Sequence, residues 1–121
     1  MEYLLLIYHS EADWGKMTPA DEAAIYREYG QLRDEFSGKG KFLGGSQLLP
    51  TSMATTVRVR DGKRVVTDGP FAETKEQLGG YFLVNASDLD EAIAIAAQIP
   101  SARTGTIEVR PLAVRGQAKN A

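Results

Sequence analysis

Apolar positions fall into short, well-separated runs. Tyr3-Leu4-Leu5-Leu6-Ile7-Tyr8 is continuous and bounded by aromatics, the pattern of a strand buried on both faces at the centre of a sheet. Thr18-Pro19-Ala20-Asp21-Glu22 opens a helix, with a capping hydroxyl, proline at the first helical position and acids in the first turn. Ile25, Tyr29, Leu32 and Phe36 follow at spacings of four, three and four and give that helix one apolar face. Gly38 or Gly40 suits a left-handed end to it. Phe42 to Pro50 reads as a strand interrupted by Gly44-Gly45, a pair that predicts a bulge or a close backbone approach.

From Ala54 to Arg60 the chain alternates, with Val57 and Val59 on one face and Thr56, Arg58 and Arg60 on the other, a half-exposed strand. Asp61-Gly62 is a strong hairpin signal, and Arg64 to Thr67 returns as the partner strand. Tyr81 to Asn85 is a second buried strand. Ser87 and the acids Asp88, Asp90 and Glu91 then start a second helix, whose stripe is Leu89, Ala92, Ile93, Ala96, Ala97 and Ile99 and which Pro100 stops. Thr106 to Arg110 alternates as a last strand, and 116–121 reads as a frayed tail after a single domain over 1–115.

The order is therefore βαββαβ with an inserted hairpin. It predicts an α+β, ferredoxin-like antiparallel sheet carrying two helices on one face. The apolar strands also demand cover on the other face. Two such sheets packed face to face in a homodimer provide it.

Composition narrows the function classes. At 121 residues, with 43% hydrophobic and 25% charged residues, the chain fits one ordinary globular domain. A net charge of -2 gives no reason to expect nucleic acid or an anionic membrane as partner. The absence of cysteine removes thiolate catalysis and thiolate metal sites, and one histidine cannot build the usual zinc site. No metal and no cofactor is expected. The Leu4–Ile7 run is too short for a signal or membrane segment, so the expected location is the cytoplasm.

The most particular stretch is Val66 to Tyr81, which breaks at Gly69-Pro70 and crowds four charges into nine residues before Gly79-Gly80. Loops on rigid scaffolds commonly carry binding and catalytic groups. Asp68, held at a strand end by a stiff Gly-Pro, is a candidate general acid or base; an aspartate before glycine also commonly bonds its own loop. Glu73 and Lys75 are candidate ligand-binding groups, with a solvated charge run as the plain alternative. His9, the one side chain that titrates near neutrality unperturbed, is a candidate proton shuttle. Trp14 and Tyr81, with Tyr26 and Tyr29, are candidates for an aromatic pocket. Gly44-Gly45 and Gly79-Gly80 lack phosphate-loop spacing.

Thr67-Asp68-Gly69-Pro70-Phe71-Ala72-Glu73-Thr74-Lys75-Glu76, together with Gly79-Gly80, Ala54 to Val59 and Asp88 to Ala92, resembles the YCII-related family in its DGPF-domain branch. The resemblance covers nearly the whole chain and implies a dimeric α+β barrel. Some shorter relatives are thought to be enzymes with a His–Asp dyad, the histidine on the first helix and the aspartate just before the proline that follows the second. Here Thr18 to Phe36 holds no histidine and Ile99 precedes Pro100, so that mechanism does not carry over. The resemblance also implies gene neighbourhoods with extracytoplasmic sigma factors. Two readings follow. One is a cofactorless enzyme using Asp68, assisted by His9 or Glu73, on a small aromatic or carboxylated metabolite. The other is a non-catalytic ligand-binding or regulatory module linked to stress signalling.

Overall fold

The computed structural model describes residues 1–114. The strands are β1 (Glu2–His9), β2 (Phe42–Gln47), β3 (Thr55–Arg60), β4 (Lys63–Asp68), β5 (Gln77–Asn85) and β6 (Thr106–Pro111). The helices are α1 (Glu11–Trp14), α2 (Pro19–Gly38) and α3 (Leu89–Ala97), with 3₁₀ turns at Thr51–Met53 and Pro100–Arg103. Four strands form an antiparallel sheet in the order β2-β5-β1-β6, while β3 and β4 pair only with each other. This α+β arrangement is consistent with a ferredoxin-like fold. No described helix is long and apolar enough to cross a membrane.

One face of the sheet carries the core. Tyr3, Leu5 and Ile7 of β1 and Phe82 and Val84 of β5 are buried against Leu32 and Phe36 of α2 and Ala92, Ile95 and Ala96 of α3. Leu5, Val84 and Ile99 lose essentially all their accessible surface, each contributing about 1.5–3 kcal/mol of burial. Phe82 receives the edges of Tyr29 and Phe42 at 6.0 and 5.2 Å. Such perpendicular contacts suit the ring quadrupole.

The other face is less covered than the sequence pattern predicts. Leu4, Leu6, Tyr81 and Leu83 alternate with the core residues, pair as Leu4↔Leu83 and Leu6↔Tyr81, and are only half-buried. Within one chain β1 is thus buried on one face, not two, because both long helices lie on the same side.

Local corrections have local causes. Asp88, not Ser87, caps α3: its carboxylate accepts from the Glu91 N–H at 2.9 Å, while the Ser87 N–H donates back to the Glu91 carboxylate at 2.9 Å. That reciprocal pair is a capping box shifted by one residue. The buried residues of α3 are Ala92, Ile95 and Ala96, with Ile99 buried just beyond its end, whereas Leu89 and Ile93 are half exposed. α3 ends at Ala97, and Pro100 opens the following 3₁₀ turn. The segment after β1, read as loop, contains the single-turn helix α1, which Ser10 caps.

Other signals held. Thr18 caps α2 by accepting from the Asp21 N–H at 3.1 Å. Gly40 takes φ +70° beyond the helix end. Asp61 and Gly62 take φ 52° and 74°, as a tight β3–β4 turn of the mirror type requires. The register slips between Phe42 and Gly44, placing a bulge at the first glycine pair. The β3–β4 ribbon, expected to be half-exposed, is exposed on both faces: Val57, Val59, Val65 and Val66 are all open. The predicted tail at 116–121 lies outside the described residues.

Candidate functional site

β1 and β5 slip out of register beside Ile7. Ile7 pairs with Gly80 and Tyr8 with Leu78, leaving Gly79 as the extra residue of a bulge. His9 ends β1 there, and its imidazole lies against the Gly79 backbone so closely that a Cβ on Gly79 would stand 2.1 Å from Cε1. The ring stacks on Trp14 with centroids 4.8 Å apart and planes 16° from parallel.

α1 brings Trp14 to that position and is itself clasped to two other segments. Glu11 accepts from the Thr51 N–H (2.8 Å) and hydroxyl (2.6 Å), and its own N–H donates to the Gln77 amide oxygen at 2.9 Å. A helix of one turn has little stability of its own. These contacts hold it.

A cavity of about 150 Å³ opens beside the stacked pair. Its inner wall is Ile7, Phe82, Gly80 and Ser101, all buried. α2 supplies Tyr26, Tyr29 and Arg33, whose spacing of three and four puts them on one face of the helix. Ser46 and Gln47 of β2 complete the lining, and the Gln47 amide donates to the Tyr26 hydroxyl at 3.0 Å. The Tyr29 and Ser101 hydroxyls are 2.7 Å apart. Burial pushes the Tyr29 phenol above its ordinary range and outweighs its bond to Ser101, so Tyr29 stays protonated at neutral pH. A second cavity, of about 230 Å³ and lined by Asp13, Met17, Ile25 and Arg103 among others, shares His9, Trp14 and Ser101 with the first.

His9 is the chemically distinctive group. Partial burial lowers its pKa below 6.5, against the opposing pull of the Glu11 and Glu76 carboxylates. The imidazole is therefore mainly neutral at pH 7. Its Nδ1 is enclosed and has no hydrogen-bond partner among the described residues. Buried polar atoms are usually satisfied, so an unpartnered one in a cavity-lining residue stands out.

The residues singled out from sequence separate spatially. His9 and Trp14 come together in this cavity. Asp68 is exposed at the end of β4 and lines neither cavity beside His9. Glu73 lines a separate open groove with Thr51, Ser52, Gly69, Pro70 and Thr74. Lys75 is exposed, and Tyr81 sits on the sheet face opposite the helices. The loop after β4 is held at its base, where the Gly69 N–H donates to the Ala54 carbonyl and the Thr56 hydroxyl to the Gly69 carbonyl, both at 2.7 Å. Gly69 takes φ +96°, a conformation that favours glycine. Farther out, Phe71 is 80% exposed. Sequence reading left Arg33, Ser46, Gln47 and Ser101 unnamed; the spacing of Arg33 from Tyr26 and Tyr29 was the available signal.

A small α+β protein with an aromatic-walled cavity between its sheet and first long helix is the class that fold and site define. The YCII-related domain model matches residues 1–114, and the chain belongs to the YCII-related family. It is 37% identical to an uncharacterised protein of Rhizobium meliloti (strain 1021) over 116 residues, 94% of each chain.

Proposed function

We propose that the cavity beside His9 and Trp14 receives a small aromatic or carboxylated metabolite, and that His9 accepts or donates a proton there without a bound cofactor. The observation that carries this reading is the His9 imidazole: neutral near pH 7, stacked on Trp14 and part of the wall of an aromatic-lined cavity, with its enclosed Nδ1 unpartnered among the described residues. Neutral imidazole is the form a general base requires. The Thr67–Glu76 motif supports membership of the DGPF branch, and Asp68, which the same motif marks as acid or base, is the competing centre.

Screening small aromatic acids for turnover, with His9→Gln and Asp68→Ala beside the wild type, tests the assignment. Loss of about 10²-fold or more in His9→Gln, with Asp68→Ala active, is the expected pattern. The reverse pattern assigns the chemistry to Asp68. For a base, the rate should rise with pH through a midpoint below 6.5 and then level. Stability should follow the same sign. The folded state disfavours protonated His9, so the stability tied to its neutral form is complete above about pH 6.5 and is lost as pH falls below it.

We also propose that the chain works as a homodimer, with two sheets packed through the faces that bear Leu4, Leu6, Tyr81 and Leu83. What supports this is the lack of helical cover over those half-buried side chains. Sedimentation equilibrium should give twice the chain mass, and Leu6→Glu should shift it to one copy, since a charge buried in such a face is costly.

A further inference from the structure

We propose that Arg33 makes this cavity selective for anions, and that the ligand class is a single-ring aromatic carboxylate whose acid group pairs with the Arg33 guanidinium. The proposal rests on the small-molecule reading above and narrows it to one charge type.

The lining of the cavity is electrostatically one-sided. It includes no aspartate or glutamate, and Arg33 is its only residue with a full formal charge, His9 being mainly neutral. That bias runs against the chain as a whole, whose net charge is -2. Arg33 is also uncommitted. The four ion pairs among the described residues use Lys16, Lys39, Lys41 and Arg103, and the guanidinium hydrogen bonds belong to Arg60 and Arg103. A planar guanidinium with five donors, no acid partner and a place on a cavity wall is suited to bind a carboxylate through two parallel hydrogen bonds.

Geometry adds the aromatic half of the ligand. Arg33 is exposed overall although it lines the cavity, which puts it at the rim beside the exposed Tyr26 and Gln47. Phe82 and Ile7 form the apolar depth, and Trp14 meets Tyr26 in an edge-type contact, with ring centroids 6.2 Å apart and planes at 70°. A cavity of about 150 Å³ with apolar depth has room for a benzene ring. A ring seated inward with its carboxylate at the rim satisfies both features. It also leaves the ring-side atoms, not the carboxylate, nearest His9.

Trp14 is the only tryptophan, so its fluorescence reports on this cavity and on the adjoining one that it also walls, and the Arg33 variants tell the two apart. Benzoate and its neutral isostere benzamide are the probes, titrated at pH 7.5 into the full chain, with the His9 ring resonances followed in parallel by NMR. Benzoate is expected to bind at least about tenfold tighter than benzamide, as one charge-assisted contact predicts. Arg33→Gln should bring the two within about twofold, and Arg33→Lys, which keeps the charge but not the fork, should retain part of the preference. Equal binding of both probes with His9 shifted, or a preference that survives Arg33→Gln, overturns the role of Arg33 and leaves the pocket reading standing. If neither probe moves the Trp14 or His9 signals, the pocket reading falls and the selectivity with it.

Discussion

Gly105→Ala should cost about 3 kcal/mol and lower the thermal midpoint by on the order of 10 °C. Gly105 lies just before β6, where its N–H donates to the Ser101 carbonyl at 2.7 Å. A Cβ there would stand 2.1 Å from the Tyr8 carbonyl oxygen and 3.2 Å from both the His9 Cα and the Ser101 carbonyl oxygen. All three are backbone atoms, so no side chain can swing aside. Relief requires β6 to move off β1, where Tyr8 pairs with Thr106. Urea unfolding monitored by circular dichroism measures the loss. A change under about 0.5 kcal/mol, the range of an ordinary surface substitution, would mean that the β1–β6 end is loose.

Gly79→Ala should act differently: a loss of about 2 kcal/mol, together with at least a tenfold loss of aromatic-acid binding. Here the atoms in the way, at 2.1 and 2.8 Å, all belong to the His9 ring. The ring is a side chain and can leave, but only by giving up its stack on Trp14 and its place in the cavity wall. The consequence is checkable by a double-mutant cycle. Adding His9→Ala to Gly79→Ala removes the obstruction, so the pair should lose less than the sum of the two single losses, with a coupling of about 1 kcal/mol. Fully additive losses would show that Gly79 is needed for backbone geometry and not for the imidazole.

These two glycines mark how much of the molecule was legible from sequence. The elements were, because hydrophobic period, caps and the Asp61-Gly62 turn are local signals. The sheet and its two covering helices follow from them. The Gly79-Gly80 pair lacks the spacing of a phosphate loop, and in the fold it marks a bulge with a side chain packed against it. What packs there is His9, and no local pattern joins the end of β1 to the start of β5. Asp68, Glu73 and Lys75 drew attention because the loop is charged and particular, yet exposure to solvent is what charge favours. His9 and Trp14 look like loop residues in sequence because α1 is a single turn whose Glu11 is tied to Thr51 and Gln77 in two other segments. Arg33 is one more cation on a helix in sequence, and only the lining around it, which holds no acid, sets it apart.

The sheet order also bears on how the chain is made. β1 sits between β5 and β6, and Tyr3 pairs with Pro111 near the opposite end of the sequence. The central strand therefore leaves the ribosome well before either of its two neighbours. Until they emerge, Leu4 to Ile7 present an apolar strand with free backbone groups, a template for pairing with other nascent chains. Contacts this distant in sequence also slow folding. A chain stopped before Thr106 would keep both helices and lose the strand that closes that edge.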